Sequence, residues 1–164
     1  MASSIHIEAV KTASFAHNDR TMKVSYLISS SEDNYCSCSS DEASQKFHEL
    51  KSQASENYTA RTKQRIQKKT IFLKEAIVNL EAHHTKEDLK PIIERLKGYG
   101  FTVLQSAIHR DEGFKNLVDG KKKHNYHAHI TMFNLDVSTG KTVKFGKNYR
   151  TALSQLQTFV ANTL

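Results

Sequence analysis

Four stretches of the chain have the pattern of apolar residues that is typical of β-strands. In residues 5–10 the apolar side chains of Ile5 and Ile7 alternate with polar ones, so they lie on one face of an extended segment. The other three stretches are more continuously apolar or β-branched, which favours buried strands. These are residues 70–80, 101–108 and 125–134. Two shorter extended pieces are predicted at residues 24–28 and 142–145.

Helical spacing of apolar residues predicts three helices between these strands. Residues 43–69 are polar and contain no Gly or Pro, and their narrow apolar stripe recurs at helical intervals. A second helix is predicted over residues 85–99, where Thr85 and Asp88 have the spacing of a capping box. The last helix is predicted to begin after Asn148, which can cap it.

The order of these elements predicts one domain over residues 1–164. Polar loops are expected at residues 11–23 and at residues 29–44, a stretch rich in Ser, Asp and Glu. Strands that follow one another through short turns, with helices between them, indicate an α+β fold. We expect an antiparallel β-sheet palm with helices packed mainly on one face, which leaves the other face or an edge open for a ligand.

The composition indicates a polyanionic partner. The chain has 24 Lys and Arg against 17 Asp and Glu, a net charge of +7 and a pI near 9.4, which favours nucleic acid or an anionic membrane surface. No apolar stretch approaches the roughly 20 residues that span a bilayer, and the first residues lack a secretory signal pattern. We therefore expect a cytoplasmic protein without membrane insertion. Cys36 and Cys38 are interpreted as free thiols in a reducing compartment.

Three histidines in the second half of the chain are candidates for one metal site. His127 and His129 share a face of the predicted strand 125–134, about 7 Å apart. His109 follows the predicted strand 101–108, and the polar, basic segment between the two strands suits a hairpin connection. Folding the chain back at the middle of that segment places His109 opposite His127. Because imidazole is a common neutral ligand, the three rings predict a metal centre.

The same residues resemble the signature of a known family. His109-Arg-Asp-Glu112 followed by His127-Ala-His129 looks like the H-x-D-E and H-x-H metal motif of the HUH endonucleases, in the version of plasmid mobilisation relaxases of the Mob/Pre type. Phe15-Ala-His17-Asn-Asp-Arg20 is similar to the F-x-H-N-E-R segment near the N-terminus of those relaxases. One difference is that residues 113–126 intervene where the family has a very short turn containing proline, which leaves the position of Glu112 relative to the histidines open.

The resemblance implies a fold, an activity and a cofactor. It implies an HUH-relaxase-like palm with the H-x-H pair on a central strand, and a DNA relaxase that initiates plasmid mobilisation by a metal-dependent nick through a covalent protein–DNA intermediate. His109, His127 and His129 would bind a divalent ion, Mn²⁺ or Mg²⁺. The expected partners are single-stranded or hairpin DNA at an origin of transfer and conjugation accessory or coupling proteins. The chain would be the N-terminal part of a longer protein.

The resemblance also implies which residues do the chemistry. His17 would be the nucleophile and would form a phosphoramidate, with Tyr26, near the same N-terminal segment, as the alternative. Glu112 could orient or deprotonate the nucleophile, or brace a ligand histidine through its second nitrogen. Asp111 is the neighbouring carboxylate that competes for both roles.

Several basic residues are candidates for DNA contacts. The planar guanidinium of Arg20 matches two phosphate oxygens, and Tyr126 could stack on a base or belong to the core. Two basic groups could hold the DNA backbone or be solvated surface. They are Arg61, Lys63, Arg65, Lys68 and Lys69 in the predicted long helix, and Lys121, Lys122 and Lys123 at the predicted hairpin tip.

Two other functional classes fit the same residues. One is a rolling-circle replication initiator or an HUH transposase, which carries out related chemistry and usually has a tyrosine nucleophile. The other is a non-catalytic single-stranded-DNA-binding domain in which the histidines are structural. Metal-dependent nicking distinguishes the enzymes from the binding domain.

Overall fold

The computed structural model describes residues 3–31 and 33–164, which form a five-stranded antiparallel sheet, a two-stranded hairpin and four helices. The strands of the sheet are β1 (Ile5–Ala9), β2 (Tyr35–Cys36), β3 (Leu73–Asn79), β4 (Thr102–His109) and β7 (His127–Phe133). The hairpin consists of β5 (Gly113–Lys115) and β6 (Lys122–His124). The helices are α1 (Ala13–Asn18), α2 (Ser40–Thr62), α3 (Lys86–Gly98) and α4 (Tyr149–Thr163).

Strand β7 lies at the centre of the sheet, whose order is β1-β3-β7-β4-β2. Its side chains alternate between the two faces, which have different neighbours. Ala128, Ile130 and Met132 belong to the main apolar core with buried residues of α3 and α4. Phe133, on the other face, belongs to a second core with buried residues of α1 and α2. The predicted α+β class with an antiparallel palm is confirmed, and α1 and α2 add helices on the face that was expected to be open.

The N-terminal caps of α3 and α4 follow the sequence signals. Thr85 and Asp88 form a capping box at the start of α3, and the Asn148 side chain accepts a hydrogen bond from the backbone N–H of Thr151 at the start of α4. Leu89, Ile92 and Leu96 of α3 are buried against the sheet, as their spacing predicts. None of the helices in the described ranges combines the length and the apolar character needed to cross a membrane.

The segment of residues 11–23 was predicted to be a loop, but it contains α1. The helix forms where Phe15 is fully buried in the second core, and this anchor fixes the segment against α2 and the sheet. The polar sequence around Phe15 gave no helical period that would have revealed so short a helix.

Helix α2 is shifted toward the N-terminus relative to the predicted residues 43–69. It begins earlier because Ser39 and Glu42 form a capping box. It ends at Thr62 because Lys63 adopts the left-handed conformation, with φ 60°. Four of the basic residues predicted to be helical therefore lie beyond the helix, in the irregular segment before β3; these are Lys63, Arg65, Lys68 and Lys69.

Neither short extended piece forms a strand. Residues 24–28 make only an isolated bridge between Leu27 and Glu112, because the edge of β4 is occupied by β2, which lies in the stretch predicted to be a loop. Residues 142–145 make only a bridge between Thr142 and Leu135. Val143 and Phe145 are instead buried in the main core, so this segment covers an end of the sheet and does not extend its edge.

Candidate metal centre

The antiparallel pairing of β4 with β7 brings three histidines together. His109 lies directly opposite His127, and His129 follows two residues along β7 on the same face. The ring centroid of His109 is 5.3 Å from that of His127 and 4.8 Å from that of His129. The ring centroids of His127 and His129 are 4.9 Å apart. All three side chains belong to buried residues. The pairing therefore places the three predicted ligand residues next to one another in one buried cluster.

Backbone carbonyl groups fix the tautomers of two of these histidines. Nε2 of His109 lies 3.1 Å from the carbonyl oxygen of Asn18, and Nδ1 of His127 lies 2.8 Å from that of Asn125. A carbonyl oxygen only accepts a hydrogen bond, so each of these ring nitrogens must carry the proton. The lone pairs are consequently on Nδ1 of His109 and Nε2 of His127, the nitrogen atoms that face the cluster.

The third histidine is fixed by a buried carboxylate. Nδ1 of His129 donates to Glu75 on β3 at 2.8 Å, which leaves the lone pair on Nε2 of His129. Ser14 and Thr131 also donate to Glu75. Burial alone would raise the pKa of Glu75, but the hydrogen bond from His129, followed by those from Ser14 and Thr131, outweighs burial and lowers the pKa to about 2. The carboxylate is therefore ionised at neutral pH and holds His129 in this tautomer.

Two buried nitrogen atoms in the cluster fit a metal ion. Nδ1 of His109 and Nε2 of His129 are buried and have no hydrogen-bond partner among the described residues. A buried polar atom without a partner is unfavourable, and a cation would satisfy both lone pairs. Ligand atoms of His17, His109 and His129 lie within 4.8 Å of one another, and so do those of His109, Glu112 and His127. The donor set fits a first-row divalent ion.

His17 is held over this cluster by α1. Its ring centroid is 5.0 Å from that of His109 and 5.3 Å from that of His129, and its Nε2 lies 3.6 Å from Oε1 of Glu112. Burial, and then the neighbouring His129 and His109, lower the pKa of His17 to about 4. The ring is therefore neutral at pH 7 and retains a lone pair. Its position is compatible with a fourth ligand or with a nucleophile.

Glu112 contacts the histidines, whereas Asp111 does not. Oε1 of Glu112 is 3.2 Å from Nδ1 of His109, a contact without normal hydrogen-bond geometry, and Oε2 is 3.7 Å from Nε2 of His127. Burial would raise the pKa of Glu112, but the hydrogen bonds and charges of neighbouring side chains, among them the guanidinium of Arg20, outweigh burial and lower the pKa to about 2. Although the segment after Glu112 is long, the hairpin β5–β6 keeps this carboxylate in the cluster.

Arg20 occupies a different position from the one expected of a phosphate clamp. Its guanidinium donates to both oxygens of Asp111, at 2.9 and 2.6 Å, and to Glu112 at 2.7 Å. Asn34 also donates to Asp111, at 2.8 Å. Since two carboxylates already occupy the planar fork, Arg20 positions Glu112 and is not free to grip a phosphate. Asp111 serves as the anchor of Arg20.

Tyr26 lies at the rim of a cleft of about 820 Å³ that Glu112 also lines. It is 48% exposed, and burial of the hydroxyl, followed by the charge of Glu112, raises its pKa. Its hydroxyl is thus harder to deprotonate than that of an ordinary tyrosine. Compared with Tyr26, His17 lies closer to the histidine cluster and is already neutral.

The two basic groups lie at opposite ends of the sheet. Lys121, Lys122 and Lys123 are exposed on the hairpin that begins next to Glu112. The other group, residues 61–69, precedes β3, whose first residue pairs with Phe133. Phe133 is six residues from His127 along β7, or roughly 20 Å at the rise of a strand. Arg61 donates to the carbonyl oxygen of Thr139 there.

Sequence analysis missed three residues that position the cluster. Glu75 carries one signal that could have identified it, because it is a carboxylate inside an otherwise apolar strand, and a buried charge requires partners. Asn18 and Asn34 carry no such signal, since asparagine is ordinary at helix ends and in turns.

The comparisons with known proteins agree with this architecture. No protein-family model matches the chain, and no curated protein sequence matches it. One solved structure that is similar is described as the MobM relaxase domain (MOBV; Mob_Pre) bound to plasmid pMV158 oriT DNA, in a Mn-bound crystal form. The similarity has a TM-score of 0.58 at 16% sequence identity and covers 99% of this chain and 85% of the MobM chain. It shows that the chain has the fold of a Mob/Pre-type relaxase domain, as the sequence resemblance implied.

Proposed function

We propose that this chain is a DNA relaxase that makes a metal-dependent, site- and strand-specific nick at an origin of transfer and so initiates plasmid mobilisation. The observation that carries the proposal is a histidine cluster at the end of a relaxase-like sheet, in which ligand atoms of His17, His109 and His129 lie within 4.8 Å of one another. Ligand atoms of His109, Glu112 and His127 are equally close to one another, and two of the buried ring nitrogens have no hydrogen-bond partner among the described residues. A binding domain without catalytic activity has no need of buried, unpaired ring nitrogens at one point.

The proposed ligands are Nδ1 of His109, Nε2 of His127 and Nε2 of His129. When bound, a divalent ion supplies Lewis-acid stabilisation of the charge that develops on the scissile phosphate. Imidazole donors favour Mn²⁺ over Mg²⁺, and the similar MobM structure is Mn-bound. Glu112 lies beside His109 and His127 and is ionised, so its charge also favours a cation at this point.

His17 is the proposed nucleophile. A ring nitrogen forms a bond to phosphorus with its lone pair, the bond from phosphorus to the leaving sugar oxygen breaks, and that oxygen takes up a proton. The imidazole loses the proton of its other nitrogen, which balances the proton taken up by the leaving oxygen, so the ring of the phosphoramidate is uncharged and its phosphoryl group keeps one negative charge. Because the pKa of His17 is about 4, the ring needs no base to become reactive at pH 7. Glu112, with a pKa of about 2, is a weak base and acts by orienting the ring.

DNA is proposed to approach from the hairpin side. The three lysines of residues 121–123 lie on the element that begins at Glu112, so they are placed to contact the DNA backbone near the cluster. Residues 61–69 are too far from the histidines to share that contact, and they would bind a more distant part of the DNA. The cytoplasmic location and the accessory or coupling proteins expected from the sequence belong to this same proposal.

One observation supports a second candidate function. Tyr26 lies in the same cleft as Glu112, and a tyrosine nucleophile is the usual choice in HUH replication initiators and transposases. The two candidates differ in the covalent bond that they form to DNA. A phosphoramidate to histidine is labile in acid, whereas a phosphodiester to tyrosine survives mild acid.

The covalent product therefore tests the proposal. The protein is incubated with Mn²⁺ and a labelled pool of single-stranded oligonucleotides of randomised sequence, denatured and examined for a retarded band. We expect a band that is lost on brief acid treatment, absent in His17→Ala and retained in Tyr26→Phe. A band that resists acid or persists in His17→Ala would transfer the role to a tyrosine. The absence of any band, although the protein binds Mn²⁺ and DNA, would favour the non-catalytic alternative.

A further inference from the structure

The cleft beside Glu112 is an element of the molecule that the nicking chemistry leaves without a role. It has a volume of about 820 Å³, within the range of about 300–1,000 Å³ that is usual for small-ligand sites. Tyr26 lines one part of it, and Phe114 and Lys123 line another part from the hairpin β5–β6. Since Glu112 belongs both to the cleft and to the histidine cluster, the two sites are adjacent.

The aromatic lining of the cleft is unusually accessible. Phe114 is 56% exposed and Tyr26 is 48% exposed. His124 and Tyr126 also line the cleft, and their rings are stacked, with centroids 5.3 Å apart and planes 9° apart. The guanidinium of Arg110 lies 5.8 Å from the centroid of Tyr126, on its face, and donates to backbone carbonyl groups nearby. Tyr126 is thus already covered, whereas the exposed rings of Phe114 and Tyr26 offer flat surfaces, on which nucleic-acid bases stack.

The distribution of charge and polar groups fits a nucleotide in one orientation. Glu112 disfavours an anion in the part of the cleft that it lines, so that part suits an uncharged base. Lys123 places its Nζ 5.8 Å from the ring centroid of Phe114, where it can neutralise a backbone phosphate at the rim. The side-chain amides of Asn79 and Asn125 also line the cleft, and each offers donors and an acceptor to the edge of a base.

We propose that this cleft binds an unpaired base of single-stranded DNA, next to the phosphate that is cut, and that Phe114 is its principal stacking platform. The inference rests on the proposed function, because it takes DNA as the ligand of the histidine cluster. It adds a site that reads bases, beside a cluster that reads only a phosphate. The hairpin β5–β6 then contributes to the choice of nick site, through Phe114, as well as to the affinity for the backbone.

The test compares a base-bearing strand with a strand that has no bases. Fluorescence anisotropy measures the binding of a labelled oligodeoxyadenylate and of an abasic strand of the same length, with Mn²⁺ present. Wild type should bind the base-bearing strand more tightly. Phe114→Ala should weaken that binding by about tenfold and leave the abasic strand unaffected, as expected for the loss of one stacked base. Phe114→Leu, which keeps an apolar side chain but no ring, should show the same selective loss, and Phe114→Tyr should retain the preference.

Leu117 provides a matched control on the same hairpin. It is 99% exposed at the tip and does not line the cleft, so Leu117→Ala should bind both strands as wild type does. Equal binding of the two strands by wild type, or an equal loss of both in Phe114→Ala, would overturn the inference. Calorimetric titration with Mn²⁺ distinguishes a failure of the cleft proposal from a failure of the proposed function. If Mn²⁺ binds and the adduct forms while Phe114→Ala keeps the base preference, only the cleft is wrong; if wild type binds neither Mn²⁺ nor DNA, the proposed function fails.

Discussion

Replacing Glu75 by Gln removes one charge from the centre of the hydrogen-bond network while its shape is retained. The carboxylate accepts from His129 through Oε2 and from Ser14, Asn18 and Thr131 through Oε1. A pKa lowered from 4.5 to about 2 corresponds to about 3 kcal/mol, at about 1.4 kcal/mol per unit, and Gln retains part of this through its own hydrogen bonds. We therefore expect Glu75→Gln to lower the free energy of unfolding at pH 7 by about 1–3 kcal/mol.

The same substitution should weaken metal binding through the tautomer of His129. If the Gln amide N–H₂ faces Nδ1 of His129, that nitrogen must accept, and the ring proton moves to Nε2, where the metal ligand is needed. If the amide turns the other way, it faces the amide of Asn18, which can only donate through its nitrogen. Loss of such a supporting carboxylate typically costs about 10–100-fold in metal affinity. We expect Mn²⁺ binding by Glu75→Gln to weaken by that factor.

Glu8 provides the control. It lies opposite Glu75 in the register of β1 with β3 and therefore on the same face of the sheet, but its side chain is 49% exposed and pairs with His6 at the edge strand. Glu8→Gln makes the same chemical change on the same sheet and should alter neither stability nor metal affinity. Calorimetric titration with Mn²⁺ and urea unfolding of the metal-free protein measure the two effects. Wild-type Mn²⁺ affinity in Glu75→Gln would refute the argument that this carboxylate sets the ligand tautomer.

Three further predictions concern the metal, the DNA and pH. His127→Ala combined with His129→Ala should abolish calorimetric Mn²⁺ binding while the circular dichroism spectrum remains native; undiminished binding would exclude these ligands. Changing the three lysines of residues 121–123 to Ala should reduce the slope of log binding constant against log salt concentration for single-stranded DNA by up to about 2, since each neutralised phosphate contributes about 0.7. An unchanged slope would mean that these lysines are solvated and do not contact the DNA. In urea titrations, the free energy of unfolding of the metal-free protein should decrease as the pH falls from 6.5 to about 4. The reason is that the folded pKa values of His17 and His127 are about 4, below the ordinary value, so these rings bind protons mainly in the unfolded state. A constant free energy of unfolding over that range would contradict their burial as neutral rings.

The elements that sequence analysis predicted are those whose pattern is local. Alternation or apolar runs identified β1, β3, β4 and β7, and capping residues identified the starts of α3 and α4. The errors concern segments whose structure depends on distant partners. Residues 24–28 are as apolar as many edge strands, but the edge of β4 is taken by Tyr35 and Cys36, whose own sequence gives little sign of a strand. Which segment pairs with the edge of β4 depends on competition between distant segments of the chain, and the sequence pattern of one segment does not reveal it.

In the candidate site too, the contacts within one pair of strands could be predicted, and those with distant elements could not. The meeting of His109 with His127 could be predicted, because two strands joined by a hairpin segment must pair antiparallel. The residues that give these rings their chemistry come from other elements and could not be predicted. Asn18 of α1 fixes the proton of His109 with its carbonyl oxygen and also donates to Glu75 with its side chain. No local pattern connects Asn18 with either partner.

These contacts make the position of the proposed nucleophile dependent on the same residues that prepare the metal ligands. Ser14 and Asn18, one turn apart on α1, both donate to Glu75, and His17 lies between them on that helix. The carboxylate that fixes the tautomer of His129 therefore also fixes the helix that carries His17. A change that loosens α1 from Glu75 should weaken metal binding and covalent attack together, whereas a change of His17 alone should abolish only the attack. Ser14→Ala, which removes one donor without touching a histidine, should thus lower both the Mn²⁺ affinity and the yield of adduct; a loss confined to the adduct would show that α1 and the ligands are positioned independently.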